Sequence, residues 1–200
     1  MRYAYLLTQD KDSVRSTSSK NILEKIGFSV IFVNCIPHKD PVVSNKLSME
    51  HIYEMIVETN LDDQHAYVFE DDLGTHQDIS LDEIIKFEKL SDMFFYLGIC
   101  ESHGTKTNKE TRYSIYGHRV ISVAGNVRGL HAIGISVEGA TRLLDVIKKS
   151  THKYMDMILE DFSRMYPANV VRYDLQSSIP GHRGIIFQDR KRFPTTISSN

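Results

Sequence analysis

Short apolar bursts alternate with stretches in which apolar residues recur at helical spacing, and this alternation runs almost the whole chain. Tyr3 to Thr8 reads as a first strand. A polar loop from Gln9 to Ser19 leads into a helix near Ser18 to Ile26, which Gly27 ends. Phe28 to Asn34 is β-branched and aromatic, the signature of a second strand. Cys35 to Lys46 holds Pro37 and Pro41 and reads as a loop. Ser48 is then a plausible N-cap for a helix carrying Ile52, Met55 and Ile56 on one face.

Ala66 to Phe69 is a buried strand by pattern, and Asp78 to Leu90 a helix. Met93 to Leu97 is a strand closed by Gly98. The polar, glycine-bearing stretch from Glu101 to Arg128 predicts a lid or substrate loop, with room for a hairpin. Leu130 to Ser136 is strand-like. Helices follow at Gly139 to Lys149 and Tyr154 to Met165, with a short strand at Val170-Val171 and a basic tail holding Arg190, Lys191 and Arg192. Alternating strands and helices predict an α/β fold with a mainly parallel central sheet flanked by helices.

Composition narrows the class. Two hundred residues suit one domain, and 41% apolar with 25% charged residues is ordinary for a globular protein. A net charge of −2 gives no basic stripe for nucleic acid. No stretch approaches the roughly 18 apolar residues of a membrane span. The two cysteines, Cys35 and Cys100, lie in apolar contexts, so they read as reduced packing residues and suggest a cytoplasmic setting. Their spacing to histidines does not suit zinc.

The chemistry concentrates at Glu70-Asp71-Asp72, which closes the strand ending at Phe69. Acids at the carboxyl edge of a strand sit where open α/β sheets bind ligands. Three adjacent carboxylates repel one another unless a cation or hydrogen-bond donors neutralise them. Hard oxygen donors suit Mg²⁺ or Mn²⁺, held by one or two carboxylates plus substrate phosphates. The plain alternative is an acidic turn on a solvated loop.

Several segments, taken in order, resemble glycosyltransferase family 25, the lipopolysaccharide-type galactosyltransferases and their collagen-modifying relatives. They are Tyr5-Leu6-Leu7-Thr8-Gln9-Asp10 leading to Arg15, the Ser48 to Val57 helix, Glu70-Asp71-Asp72, Tyr96-Leu97-Gly98, Gly129 to Leu144, and Tyr154-Met155-Asp156. The chain departs from the family at Met49, at Thr8 and before Asp156. The resemblance implies a single GT-A domain, with nucleotide-sugar binding over about residues 1–100 and an acceptor side over about 101–200. Small members occur in bacteria and in large DNA viruses, so a viral chain would act in the host cytoplasm.

It further implies an inverting hexosyl transfer from a UDP-sugar to a glycan or glycoprotein, assisted by Mn²⁺ or Mg²⁺. Asp72 would be the principal metal ligand, with His182 as a late histidine completing the shell and His131 its rival. Leu7, Thr8, Arg15, Val33, Asn34, Ser48, Glu70, Asp71 and Arg183 would contact the donor. Asp156 would take the acceptor proton, with Glu160 one turn along the same helix face. Two other readings stay open: a Mg²⁺-dependent phosphotransferase or phosphatase, and a non-catalytic domain that binds sugar nucleotide.

Overall fold

A computed structural model describes residues 1–59, 64–75, 77–99, 101–102, 109–125, 127–129, 131–171 and 183–194. Its first half comprises β1 (Tyr3–Thr8), α1 (Val14–Ile26), β2 (Ser29–Asn34), α2 (Pro41–Thr59), β3 (His65–Glu70), β4 (Leu73–Thr75), α3 (Leu81–Glu88) and β5 (Phe94–Ile99). Then come β6 (Glu101–Ser102), β7 (Lys109–Ile115), β8 (His118–Val123), β9 (Val127–Arg128), β10 (Ala132–Ser136), α4 (Val137–Lys149), α5 (Met155–Met165), β11 (Ala168–Val171), β12 (Arg183–Gly184) and β13 (Ile186–Gln188). Among the described residues the central sheet runs β2-β1-β3-β10-β5-β11-β8-β7, with β12 also on β5.

The sheet is mixed. β2, β1 and β3 are mutually parallel, as the alternating pattern predicts. β10 enters antiparallel between β3 and β5, and β11 lies parallel to β5. Helices cover both faces. Leu23 and Ile26 of α1 and Ile84 and Phe87 of α3 pack with Leu6, Tyr67, Phe69 and Phe95 on one face. Met49, Ile52 and Tyr53 of α2 and inward residues of α4 and α5 pack with Tyr5, Val68, Tyr96 and Ile133 on the other. Burying each such large apolar side chain contributes about 1.5–3 kcal/mol.

Because α1 and α2 lie on opposite faces, the chain leaves β1 in one direction and returns to β3 from the other. The strand order therefore reverses between β1 and β3. A crevice opens beyond the carboxyl ends of neighbouring strands at such a switch point.

Four local expectations change. α1 begins earlier than Ser18, at Val14, because Ser13 caps it by accepting from the Ser16 N–H. α2 begins at Pro41 rather than near Ser48. Proline suits the first helical position, and Asp40 accepts from the Val42 N–H at 2.9 Å. Ser48 is thus not a cap but lies buried inside the helix. The described part of 101–128 is sheet rather than lid: β7 and β8 form the expected hairpin, and β8 extends the central sheet through β11. Its two-residue turn, Tyr116-Gly117, has φ of 52° and 76°, the left-handed pair that matches strand twist. Finally, Gly98 does not end its strand. A Cβ there would meet the Ile186 carbonyl at 1.9 Å, so glycine lets the C-terminal segment cross β5. Among the described residues no helix is long and apolar enough to cross a membrane.

Candidate functional site

The acid triplet stands at the β1/β3 switch point. β1 and β3 pair in register through Leu7 and Glu70, which brings Thr8 and the two following acids together. The Thr8 hydroxyl donates to Asp71 Oδ2 at 2.6 Å, and the Ser16 hydroxyl lies 3.1 Å from the same oxygen. Arg15 Nε donates to Asp71 Oδ1 at 2.5 Å, and its Nη2 lies 3.2 Å from Asp72 Oδ2. Ser19 donates to the Asp71 carbonyl at 2.7 Å and accepts from the Leu73 N–H at 3.1 Å. Ser16, Ser19, Leu23 and Ile26 form the inward stripe of α1. The helix therefore meets the core at its end and the acids at its start.

Glu70 is held from other directions. Asn45 Nδ2 of α2 donates to Oε1 at 3.3 Å, and Gln188 Nε2 of β13 donates to Oε2 at 2.7 Å. Burial first, and the neighbouring Asp72 charge second, push the Glu70 carboxyl up to about 8. Asp72 is only 2% exposed. Burial raises its carboxyl, and Arg15 opposes that shift. Its Oδ1 is buried with no hydrogen-bond partner.

The C-terminal segment straps this edge. β13 pairs antiparallel with β4, and the Asp189 N–H donates to the Asp72 carbonyl at 2.6 Å. Arg190 Nη2 donates to Gln188 Oε1 at 2.9 Å, and the Arg190 charge acts on Asp72. Arg15 Nη1 donates to the Pro194 carbonyl at 3.2 Å. The basic tail thus folds onto the triplet.

Asp156 sits in the first turn of α5 and accepts from the Met157 N–H at 2.9 Å, while Glu160 accepts from Arg164 Nη2 at 2.5 Å. Both charges act on the buried Tyr96 hydroxyl, as Glu70 acts on that of Tyr53.

Other sequence candidates fare differently. Leu7 and Val33 are buried in the apolar core beneath the site, and Asn34 is exposed at the end of β2. Ser48 donates to the Ser44 carbonyl at 2.6 Å and accepts from the Ile36 N–H at 2.8 Å, so helix and loop already engage its hydroxyl. Nearby Cys35 is a free thiol, pushed up to about 11 mainly by burial. His131 is fully buried, its imidazole driven down to about 3 by burial and hydrogen-bonded to the Ile186 backbone, which is the behaviour of an interior histidine. Arg183 pairs through its backbone with Ile99, while His182 and Cys100 lie outside the described residues. Sequence reasoning missed Ser16, Ser19, Asn45 and Gln188. Only the spacing of Ser16, Ser19, Leu23 and Ile26 on one helix face signalled any of them.

Among the described residues no group of three or more His, Cys, Asp or Glu side chains is arranged to hold a metal ion. A Mg²⁺ held by one carboxylate, waters and substrate phosphates needs no such group, and the buried unpartnered Asp72 Oδ1 fits that role.

No family model matches the chain, and no curated protein matches it. Among solved structures it is similar to A197 from STIV, with a TM-score of 0.51 and 15% identity over 94% of this chain and 95% of that one. At that identity the likeness speaks to the fold alone, an α/β sheet flanked by helices.

Proposed function

We propose that the chain is a metal-dependent, inverting glycosyltransferase of GT-A type that moves a hexose from a UDP-sugar to a hydroxyl of a glycan or glycoprotein. The observation that carries this reading is Asp72: a carboxylate at the switch-point crevice with one buried oxygen unpartnered and the other beside Arg15. A nucleotide diphosphate suits that arrangement. Bound Mn²⁺ or Mg²⁺ would neutralise the charge that develops on the departing diphosphate.

The chain's own residues supply the rest. Asp72, with its buried unpartnered oxygen, would hold the cation. Arg15, already forked between two carboxylates, shares its donors with a phosphate oxygen. Glu70, steadied by Asn45 and Gln188, accepts from a donor hydroxyl. Asp156, in the first turn of α5, takes the acceptor proton.

Calorimetric titration of UDP tests the reading. Binding is expected with Mn²⁺ and is expected to vanish in EDTA; no binding in either condition sinks it. Binding without transfer is the second reading, favoured by the way Arg15 and hydroxyl groups already neutralise the triplet. Its mark is UDP binding with no hydrolysis of any UDP-hexose. The phosphotransferase reading lacks an acid at the end of β1, where Thr8 is buried against Asp71.

A further inference from the structure

The central sheet has two edges, and the chain treats them differently. At one end lies β7, with Lys109, Glu110 and Arg112 in its sequence and a register shift between Glu110 and Ser114. Charges and bulges keep a bare edge from recruiting another strand. At the other end lies β2, Ser29-Val30-Ile31-Phe32-Val33-Asn34. It carries no charge and no proline, and its six residues pair with β1 without a shift. Valine, isoleucine and phenylalanine are strong strand formers.

The register says which backbone groups of β2 stay open. The Ser29 N–H donates to the Arg2 carbonyl at 2.9 Å, and the Cys35 N–H to the Thr8 carbonyl at 2.8 Å. Backbone direction alternates along a strand, so Ser29, Ile31, Val33 and Cys35 face β1. Val30, Phe32 and Asn34 turn their N–H and C=O groups outward. Among the described residues these groups have no hydrogen-bond partner. Val30 and Phe32 pack with the cluster of α1 and α3, and Ile31 and Val33 with that of α2. Val30, Ile31 and Phe32 are still only half-buried, and among the described residues no strand lies beyond them.

A second β2 suits this edge. Laid antiparallel about a twofold axis at Phe32, it sets Phe32 against its own copy and Val30 against the other copy's Asn34. These are all hydrogen-bonded pairs, so every outward N–H and C=O of both strands is used. An axis at Ile31 would set Asn34 against Phe28, whose N–H already donates to the Leu23 carbonyl at 3.0 Å. An axis at Val33 would set Val30 against Ile36, whose N–H already donates to Ser48 Oγ at 2.8 Å. The strand brings no charge to the seam, so pairing with itself meets no repulsion there. The two Phe32 rings meet on one face, and aromatic cross-strand pairs are stabilising.

We infer that β2 is a self-association edge through which two copies of this chain join their sheets antiparallel into one. The interface is a short strand with its flanking helices, so association in the micromolar range is expected. β2 and β3 run parallel, so the two acid triplets point to opposite rims of the joined sheet. The pairing uses no metal, nucleotide or sugar and stands apart from the glycosyltransferase reading.

Sedimentation equilibrium of the full chain across micromolar concentrations tests it, beside amide hydrogen exchange read before and after dilution. The wild type should dimerise, with the Val30, Phe32 and Asn34 amides exchanging more slowly in the dimer than after dilution. Phe32→Lys sets like charges at the axis and should raise the dissociation constant at least tenfold. Val30→Pro removes an outward N–H and no bond to β1. It should weaken the dimer as much, with a native circular dichroism spectrum. Arg112→Ala, on the other edge, should leave the dimer unchanged. Should Phe32→Lys fail to fold, Val30→Pro decides alone. A monomeric wild type overturns the inference, including one whose β2 amides are slowed by cover from elsewhere in the chain. So does a dimer that survives both variants, or one whose β2 amides exchange alike at every concentration, because the copies then meet elsewhere.

Discussion

The two sides of the acid triplet are built on opposite terms. Toward α1, both Asp71 oxygens meet donors from Thr8, Ser16 and Arg15, and Ser19 ties the backbone beneath. Asp72 Oδ1 and, on the face of the sheet that α2 and α5 cover, the Tyr53 and Tyr96 hydroxyls are buried without partners. Polar groups inside proteins are nearly always matched, so an unmatched set beside a saturated one needs an explanation. Saturation makes the α1 side a scaffold that fixes where the acids point. The open side is where a ligand would complete the pattern. The acids are adjacent in sequence, but their roles differ because α1 reaches only one flank.

Asp72→Ala should have the largest effect. It removes the unpartnered oxygen and should weaken Mn²⁺-dependent UDP binding at least a hundredfold, about 2.8 kcal/mol. Circular dichroism should show the fold retained, because the residue's loss also relieves a buried charge. Unchanged metal-dependent binding would move the donor site away from the open side and erase the contrast.

Arg15→Gln probes the scaffold. It strips one partner from Asp71 and from the buried Asp72. Breaking a buried pair costs about 3–5 kcal/mol, but Arg15 is 22% exposed, so solvent reduces the loss to about 2 kcal/mol. Urea unfolding measures it. A midpoint equal to wild type would show that the hydroxyl donors alone hold the acids in place.

Glu70 spans the boundary, and its titration reports on both sides. Its folded carboxyl is raised to about 8 from an ordinary 4.5. The folded state therefore keeps a proton that the unfolded chain gives up. Glu70's contribution to stability is full below about 4.5 and is lost as pH rises toward about 8. Cation binding should show the opposite slope, strengthening over the same window as the proton leaves. Glu70→Gln should flatten both curves relative to wild type, measured as Tm and as Mn²⁺-dependent UDP affinity against pH. Parallel curves for the two proteins would mean that Glu70 titrates normally and belongs to neither side.

Much of this contrast was legible in the chain and part was not. The β1, β2 and β3 strands announce themselves by apolar runs, and Glu70-Asp71-Asp72 stands out at the end of β3. Local signals also found α4, α5 and the Asp156 turn. What pattern cannot supply is pairing over long separation. β13 seals the site by pairing with β4, three residues against three, and neither segment is periodic enough to stand out. Nothing local to Arg190 therefore signals that its charge reaches Asp72. Polar residues on an inward helix face misled for a different reason. Ser16 and Ser19 look like surface serines until the acids they serve are seen opposite them. Pro41 read as a loop because a proline that opens a helix looks, in isolation, like one that breaks it.

The smallest effect expected is also the cleanest separation of the two sides. Ser13 caps α1 by accepting from the Ser16 N–H, and its own hydroxyl donates to Ser16 Oγ at 2.9 Å. It touches no acid directly. Ser13→Ala should cost about 1 kcal/mol, the usual value of an N-cap, read as a lower urea midpoint with an unchanged slope. If α1 acts only as a scaffold, the folded variant still presents Asp71 correctly, and its UDP affinity should match wild type. A fall in affinity larger than the fall in stability would mean that Ser16 needs the cap to stay aligned with Asp71. The saturated side would then be tuning the open one rather than merely supporting it.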